Sequence, residues 1–393
     1  ATVHILMISD VYFPRVNGVS TSIQTFWRAL DARGHHVTLI APDYGQGPDD
    51  PNLDLIRIPS RYLPLDPEDR LMKARAIRAL TGQLRSRSYD LVHIQTPFVA
   101  HYLGVALASE LGVPRLESYH TFFEEYLHHY APFLPASWTR AAARRFSRSQ
   151  CNDVNAVVVP STAMADVLRR YGISTPIHII PTGIDPAQFQ NADGRRFRAH
   201  HAIAAARRIL LYVGRVAHEK NIDILLRAFE HIRSAIPEAL LVVAGEGPAE
   251  HHLHQLARAL HIEHDVLFVG YLARERALLD CYSAADALMF ASRTETQGLV
   301  LLEAMALGVP VVSTAVMGTR DILAARRGAL LAEEDVGDLA DKAVTLLRNP
   351  ALRARLAQEA REYVREWSAG AMAERLIALY ASLVPQAQRR LAN

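Results

Sequence analysis

Short, unbroken apolar runs recur along this chain, each followed by a stretch of helical character. One series occupies 3–9, 37–41, 91–95, 113–119, 156–160 and 177–181; a second occupies 209–214, 239–244, 265–270, 286–291, 309–313 and 328–332. A strand with no polar alternation must be covered on both faces, and strands separated by helices pair in parallel. Each series therefore predicts a parallel sheet sandwiched between helices. With 393 residues, half of them apolar, the chain exceeds one ordinary core and suits two domains. The turn-rich Pro181-Thr182-Gly183-Ile184-Asp185-Pro186 and the polar 190–201 mark the join. The expectation is an α/β chain of two Rossmann-like doubly wound domains facing a cleft, 1–185 and 186–369, with a helical tail at 370–393. Ligands of such sheets bind beyond the carboxyl ends of the strands, so function is sought in those loops.

Several function classes fall away on composition. Lysine and arginine number 43 against 41 acids, so no bulk field draws nucleic acid. Cys151 and Cys281 stand alone, which argues against a disulfide framework or a zinc cluster and for a reducing compartment. The opening run Val3–Ile8 has strand length, and no apolar run approaches the roughly 18 residues of a spanning helix. The expected location is cytoplasmic, peripheral at most on the inner face of a membrane.

The motif with the most chemistry is Glu295-Thr296-Gln297-Gly298-Leu299-Val300-Leu301-Leu302-Glu303, which carries one carboxylate in a strand-end loop and one inside the following helix. Unpaired N–H groups at a helix start suit a pyrophosphate, and a glycine lets it approach the backbone. Arg215 and Lys220 follow the first strand of the second series, a planar fork and a point charge fitted to a diphosphate. Glu246-Gly247 and Gly270-Tyr271 end the next two strands, where tight turns admit a nucleoside base. In the first series Asn17-Gly18 forms a turn beyond strand 3–9, and His120 ends strand 113–119. No Gly-Xaa-Gly-Xaa-Xaa-Gly follows the first strand, which disfavours a nicotinamide dehydrogenase.

Taken together, these segments resemble the retaining nucleotide-sugar glycosyltransferases of the GT-B fold, and the likeness spans essentially the whole chain. The resemblance implies that Arg215 and Lys220 hold the diphosphate, Glu303 the ribose and Glu295 the donor sugar. It places Gly18, with Asn17, at the phosphate from the other domain and His120 at the sugar. Glu246, Gly247, Tyr271, Thr296, Gln297, Gly298, Leu299 and Val300 complete the implied donor contacts. It also implies that the C-terminal helix returns to the first domain. Tyr119-His120-Thr121-Phe122-Phe123-Glu124-Glu125-Tyr126 and His93-Ile94-Gln95-Thr96-Pro97-Phe98 look like bacterial diacylglycerol glucosyltransferases.

No Asp-Xaa-Asp triplet occurs, so no metal and no cofactor beyond the nucleotide-sugar co-substrate is expected. The resulting expectation is hexose transfer, from a UDP-sugar in preference, to a membrane lipid such as diacylglycerol. The alternatives are a soluble sugar or polysaccharide acceptor, or a nucleotide-sugar epimerase. Two acid-free basic stretches bear on the acceptor. Residues 70–88 read as a helix with Arg70, Lys73, Arg75, Arg78, Arg85 and Arg87. Residues 137–150 put Arg140, Arg144 and Arg148 on one helix face beside Arg145, with Phe133, Leu134 and Trp138 nearby.

Overall fold

The computed structural model describes residues 2–63 and 66–391. The chain divides into two units, Ala1–Gly183 with Ala369–Asn393, and Ile184–Ser368.

In the first unit, β1 (His4–Ile8), β2 (His36–Pro42), β3 (Leu55–Ile58), β6 (Leu91–Ile94), β7 (Arg115–Ser118), β8 (Ala156–Val159) and β9 (Ile177–Ile179) form one sheet in the order β3-β2-β1-β6-β7-β8-β9. All of its pairings are parallel. The strand order reverses between β1 and β6, so their carboxyl ends diverge into loops with open space above them, as doubly wound sheets require. Ile5, Leu6, Met7 and Ile8 are fully buried, which explains the unbroken apolar spelling of β1. A hairpin of β4 (Ser60–Leu63) and β5 (Asp66–Met72) lies outside that sheet.

β3 and the hairpin were not foreseen, because Leu55–Ile58 contains Arg57 and the hairpin is polar. The same region corrects the helix expected over 70–88. Arg70 lies in a strand, and the remainder is two short helices, Ala74–Arg78 and Thr81–Arg85. Arg70 lies over the Tyr62 ring and Arg87 pairs with Asp54 at 2.9 Å, so cross-chain partners override the local helical composition.

The helix Ala369–Leu391 belongs to the first unit. Ala373 is buried with Ala29, and the Tyr380 hydroxyl lies 2.6 Å from His93 Nδ1.

In the second unit, β10 (Arg208–Val213), β11 (Ala239–Ala244), β12 (Val266–Gly270), β13 (Ala287–Phe290), β14 (Val311–Ser313) and β15 (Ala329–Leu331) lie in the order β12-β11-β10-β13-β14-β15, again parallel throughout. Its reversal falls between β10 and β13, whose end loops carry Arg215, Lys220 and Glu295. Cys151 and Cys281 are buried free thiols.

Candidate functional site

The loop after β10 rests on a buried aromatic. Tyr212 stacks on Phe290 with centroids 5.9 Å apart, and its hydroxyl donates to the Arg215 carbonyl at 2.9 Å. The loop after β11 lies directly against it: Val216 N–H donates to the Glu246 carbonyl at 2.9 Å, and a Cβ at Gly245 would fall 1.8 Å from the Gly214 oxygen. Backbone against backbone leaves no room for a side chain, so the glycines at 245 and 247 are a steric requirement of this turn. Asn221, in the left-handed region at φ 56°, sends its amide to the Ala291 carbonyl at 3.0 Å and so ties the β10 loop to the end of β13.

That tie places Lys220 beside the third loop. Lys220 Nζ stands 2.6 Å from Glu295 Oε1, with both side chains mostly buried. The second carboxylate faces other partners. Glu303 Oε1 lies 3.4 Å from Arg274 and its Oε2 3.4 Å from the Tyr282 hydroxyl. Burial raises the Glu303 pKa, and Arg274 and Tyr282 pull against that rise. Arg215 is half-exposed, 3.8 Å from Glu219, and Tyr271 is 55% exposed at the end of β12. Helix Leu299–Ala306 begins after Gly298 at φ 92°, beside Thr296 and Gln297, and presents the free N–H groups of Leu299 and Val300 at its start.

One residue that holds this loop has no signature in the sequence. Gly318 N–H donates to the Glu295 carbonyl at 2.8 Å, and a Cβ there would sit 2.3 Å from the Thr296 carbonyl carbon. Met317-Gly318-Thr319 shows no telling spacing; only the fold brings it under the motif. Arg274, the partner of Glu303, was missed for the same reason.

In the first unit, Asn17 and Gly18 form a helix start rather than an isolated turn. Asn17 caps the helix Gly18–Asp31, its Oδ1 accepting from Ser20 N–H at 2.9 Å, and a Cβ at Gly18 would meet nothing within 4 Å. Behind it, buried Asp10 accepts from the Thr96 hydroxyl at 2.6 Å and from Phe98 and Ala100 N–H at 3.2 Å. Burial lifts its pKa to about 6 against those hydrogen bonds. His120 Nε2 lies 3.0 Å from Gln95 Oε1, and burial holds its pKa down to about 4, so it is neutral at ordinary pH. A carboxamide oxygen only accepts, so Nε2 carries the proton and Nδ1 the lone pair. Gln95 has no role legible in the sequence; it follows β6 directly, where its N–H donates to the Ile8 carbonyl at 2.9 Å and its side chain meets His120.

The first unit also carries the second basic stretch. On helix Ala136–Asn152, Arg140, Arg144, Arg145 and Arg148 are all exposed, and Phe133 and Trp138 stand 83% and 67% exposed beside them. No helix among the described residues is long and apolar enough to cross a membrane.

Two parallel sheets with charged strand-end loops define an architecture; likeness to known proteins decides the family. Residues 193–363 match the model of glycosyl transferases group 1, and residues 16–188 match that of glycosyltransferase family 4. The chain is 33% identical to the alpha-monoglucosyldiacylglycerol synthase of Streptococcus pneumoniae over 315 residues, 78% of this chain and 70% of that protein. The chain belongs to the GT-B glycosyltransferases. Within that family it is also 26% identical to a GDP-mannose-dependent alpha-mannosyltransferase of Corynebacterium glutamicum, across 98% of this chain and 90% of that one. Among solved structures, sucrose-phosphate synthase of Thermosynechococcus elongatus superposes with a TM-score of 0.77 at 24% identity, over 98% of this chain and 100% of that chain. HepE of Anabaena, in complex with UDP and glucose, superposes at 0.74 with 16% identity, over 97% and 100%. The names differ in the sugar and acceptor they state; the corynebacterial one names GDP-mannose as donor, and the HepE complex holds UDP and glucose.

Proposed function

We propose that this glycosyltransferase moves a hexose from a UDP-sugar to the hydroxyl of a membrane lipid of the diacylglycerol class, with retention at the anomeric carbon and without a metal. The observation that carries the chemistry is the Lys220–Glu295 contact at 2.6 Å, set by the side-chain amide of Asn221 and the backbone N–H of Gly318. As the C1–O bond to the diphosphate breaks, negative charge grows on the leaving oxygen. Lys220, Arg215 and the N–H groups at Leu299 and Val300 are fixed positive partners for it. Glu295, freed from Lys220 by the donor's phosphate, accepts from a sugar hydroxyl. Glu303 accepts from the ribose, and neutral His120 offers Nδ1 to the sugar. The acceptor oxygen bonds C1 on the face the diphosphate leaves, and its proton passes to the departing phosphate oxygen. Charge neutralisation by Arg215 and Lys220 replaces that of a divalent ion, in keeping with the missing Asp-Xaa-Asp triplet.

UDP is favoured by the UDP complex of HepE, and a glucosyl-lipid product by the pneumococcal synthase. The exposed helix with Arg140, Arg144, Arg145 and Arg148 beside Trp138 and Phe133 supports a lipid acceptor, since cations held near an anionic surface contribute about 1 kcal/mol each. A second reading, GDP-mannose as donor, is favoured by the corynebacterial mannosyltransferase. The test is incubation with UDP-glucose, UDP-galactose and GDP-mannose, each with diacylglycerol in anionic vesicles or with soluble sugars, in chelator. Mass spectrometry identifies the product and NMR its anomeric configuration. An α-glycolipid from UDP-glucose supports the proposal. Turnover only with manganese, an inverted product, or transfer only to soluble sugars rejects the corresponding part.

A further inference from the structure

The carboxyl ends of the first unit's strands carry the candidate site; their opposite, amino-terminal ends carry a different group of side chains. β1 and β2 run in parallel with His4 opposite His36, so both imidazoles stand at the start of neighbouring strands, ring centroids 4.6 Å apart. Register partners in a parallel sheet project to the same face. Asp54, whose carbonyl accepts from Leu39 N–H at 2.9 Å just before β3, brings its Oδ2 to 3.1 Å from His36 Nε2. One ligand atom from each of the three residues lies within 4.8 Å of the others.

The decisive atom is His4 Nε2. His4 Nδ1 lies 3.1 Å from the Arg87 carbonyl, which only accepts, so Nδ1 carries the proton and Nε2 the lone pair. That Nε2 is buried and has no hydrogen-bond partner among the described residues. A buried acceptor without a donor is costly, and an imidazole whose far nitrogen is anchored on a carbonyl is the arrangement in which histidines ligate metals. Asp54 is likewise positioned from behind: Arg87 NH1 reaches its Oδ1 at 2.9 Å and the Thr38 hydroxyl donates to its Oδ2.

We propose that His4, His36 and Asp54 bind one divalent zinc-type ion, which staples the starts of β1, β2 and β3. Two imidazoles, a carboxylate oxygen and a water match the nitrogen and oxygen preference and the coordination number of zinc. Metal–nitrogen bonds of about 2.0–2.1 Å require the three side chains to close slightly around the ion. His36 then exchanges its contact with Asp54 for the shared ion: the Nε2 proton that faces Asp54 is given up to solvent, Nδ1 keeps or takes the ring proton, and Nε2 presents its lone pair to the metal. Arg87 keeps Oδ1 and offsets the charge of Asp54, so the site binds more weakly than one with an unpaired carboxylate. The ion sits at the far end of β1 from Asn17 and Gly18 and takes no part in sugar transfer.

The test uses the full chain without a polyhistidine tag. Zinc chloride titrated by calorimetry is expected to show one site per chain, and saturating zinc to raise Tm by about 5 °C. Cobalt(II) is expected to give the intense absorption of four-coordinate geometry. His36→Ala, at a half-exposed position, and His4→Gln should each weaken zinc at least tenfold and abolish the Tm rise, while His252→Ala, on a separate histidine-rich helix, should change neither. Absence of a saturable site, or binding that survives both the His4 and His36 variants, overturns the proposal. So does binding lost with His252→Ala, which would put the ion elsewhere.

Discussion

The two sheets place candidate residues at equivalent strand ends by opposite means. In the second unit the loop after β10 is locked backbone to backbone against the loop after β11, and the loop after β13 against the loop after β14: a Cβ at Gly245 would overlap Gly214 at 1.8 Å, and one at Gly318 would overlap Thr296 at 2.3 Å. In the first unit Gly18 has nothing within 4 Å, and the positions around it are set by side chains reaching across the sheet, Asp10 to the helix Val99–Leu111 and Gln95 to His120. The contrast is between a cradle fixed by steric exclusion and a surface fixed by hydrogen bonds. Under the function proposed above, the first would suit the invariant phosphates of a donor and the second would leave room for an acceptor.

The largest effect that would break this contrast is at Gly245. With φ at 141° and the Gly214 oxygen in the way, Gly245→Ala is expected to cost about 4 kcal/mol and to abolish nucleotide binding, read by chemical denaturation and UDP titration. A variant of unchanged stability would show that the loops are not locked.

Next come Lys220→Ala and Glu295→Ala, each expected to lower kcat at least about a hundredfold, near 3 kcal/mol, with Tm little changed. Because the two touch, the double variant should fall well short of the product of the single losses. Strict multiplicativity would mean that they act independently.

Third, the side-chain-built unit should be the pH-sensitive one. Burial holds His93 down to a pKa of about 3, while the unfolded chain titrates near 6.5. The unfolded state then binds more protons below pH 6.5, so this stability is present above that value and lost as pH falls toward 3. His93→Gln should therefore cost less at pH 5 than at pH 7, by roughly 2 kcal/mol. Urea midpoints at the two values measure it, and an equal cost at both would refute it.

The smallest effect sharpens the comparison from the other side. Gly18→Ala, in open space at a helix start, is expected to change stability by less than about 0.5 kcal/mol while raising KM for the donor. A large loss of stability would place Gly18 in the locked class.

What the sequence disclosed follows the same division. The unbroken runs spelled out both central sheets, because fully buried parallel strands such as Ile5–Ile8 and Leu240–Ala244 have no face to leave polar. The glycine-glutamate motif announced its loop, since a helix start with a left-handed glycine is written in consecutive residues. Gly318, Arg274 and Gln95 were silent because their partners lie 23, 29 and 25 positions away and local spacing cannot encode such pairings. The basic stretch 70–88 misled for a related reason: Arg70 and Arg87 answer to Tyr62 and Asp54, not to helix neighbours.

The chain enters the second unit at Ile184 and leaves it at Ser368, and these two residues pair as a parallel bridge, with Ile184 N–H donating to the Trp367 carbonyl at 2.8 Å. During synthesis the first unit therefore waits. Until the helix from Ala369 emerges from the ribosome, Ala29 lacks its cover and His93 its Tyr380 hydroxyl, while the second unit already has every strand it needs. The half translated first is completed last, and a released chain ending at Ser368 would hold every residue of the second unit and lack the closing helix of the first.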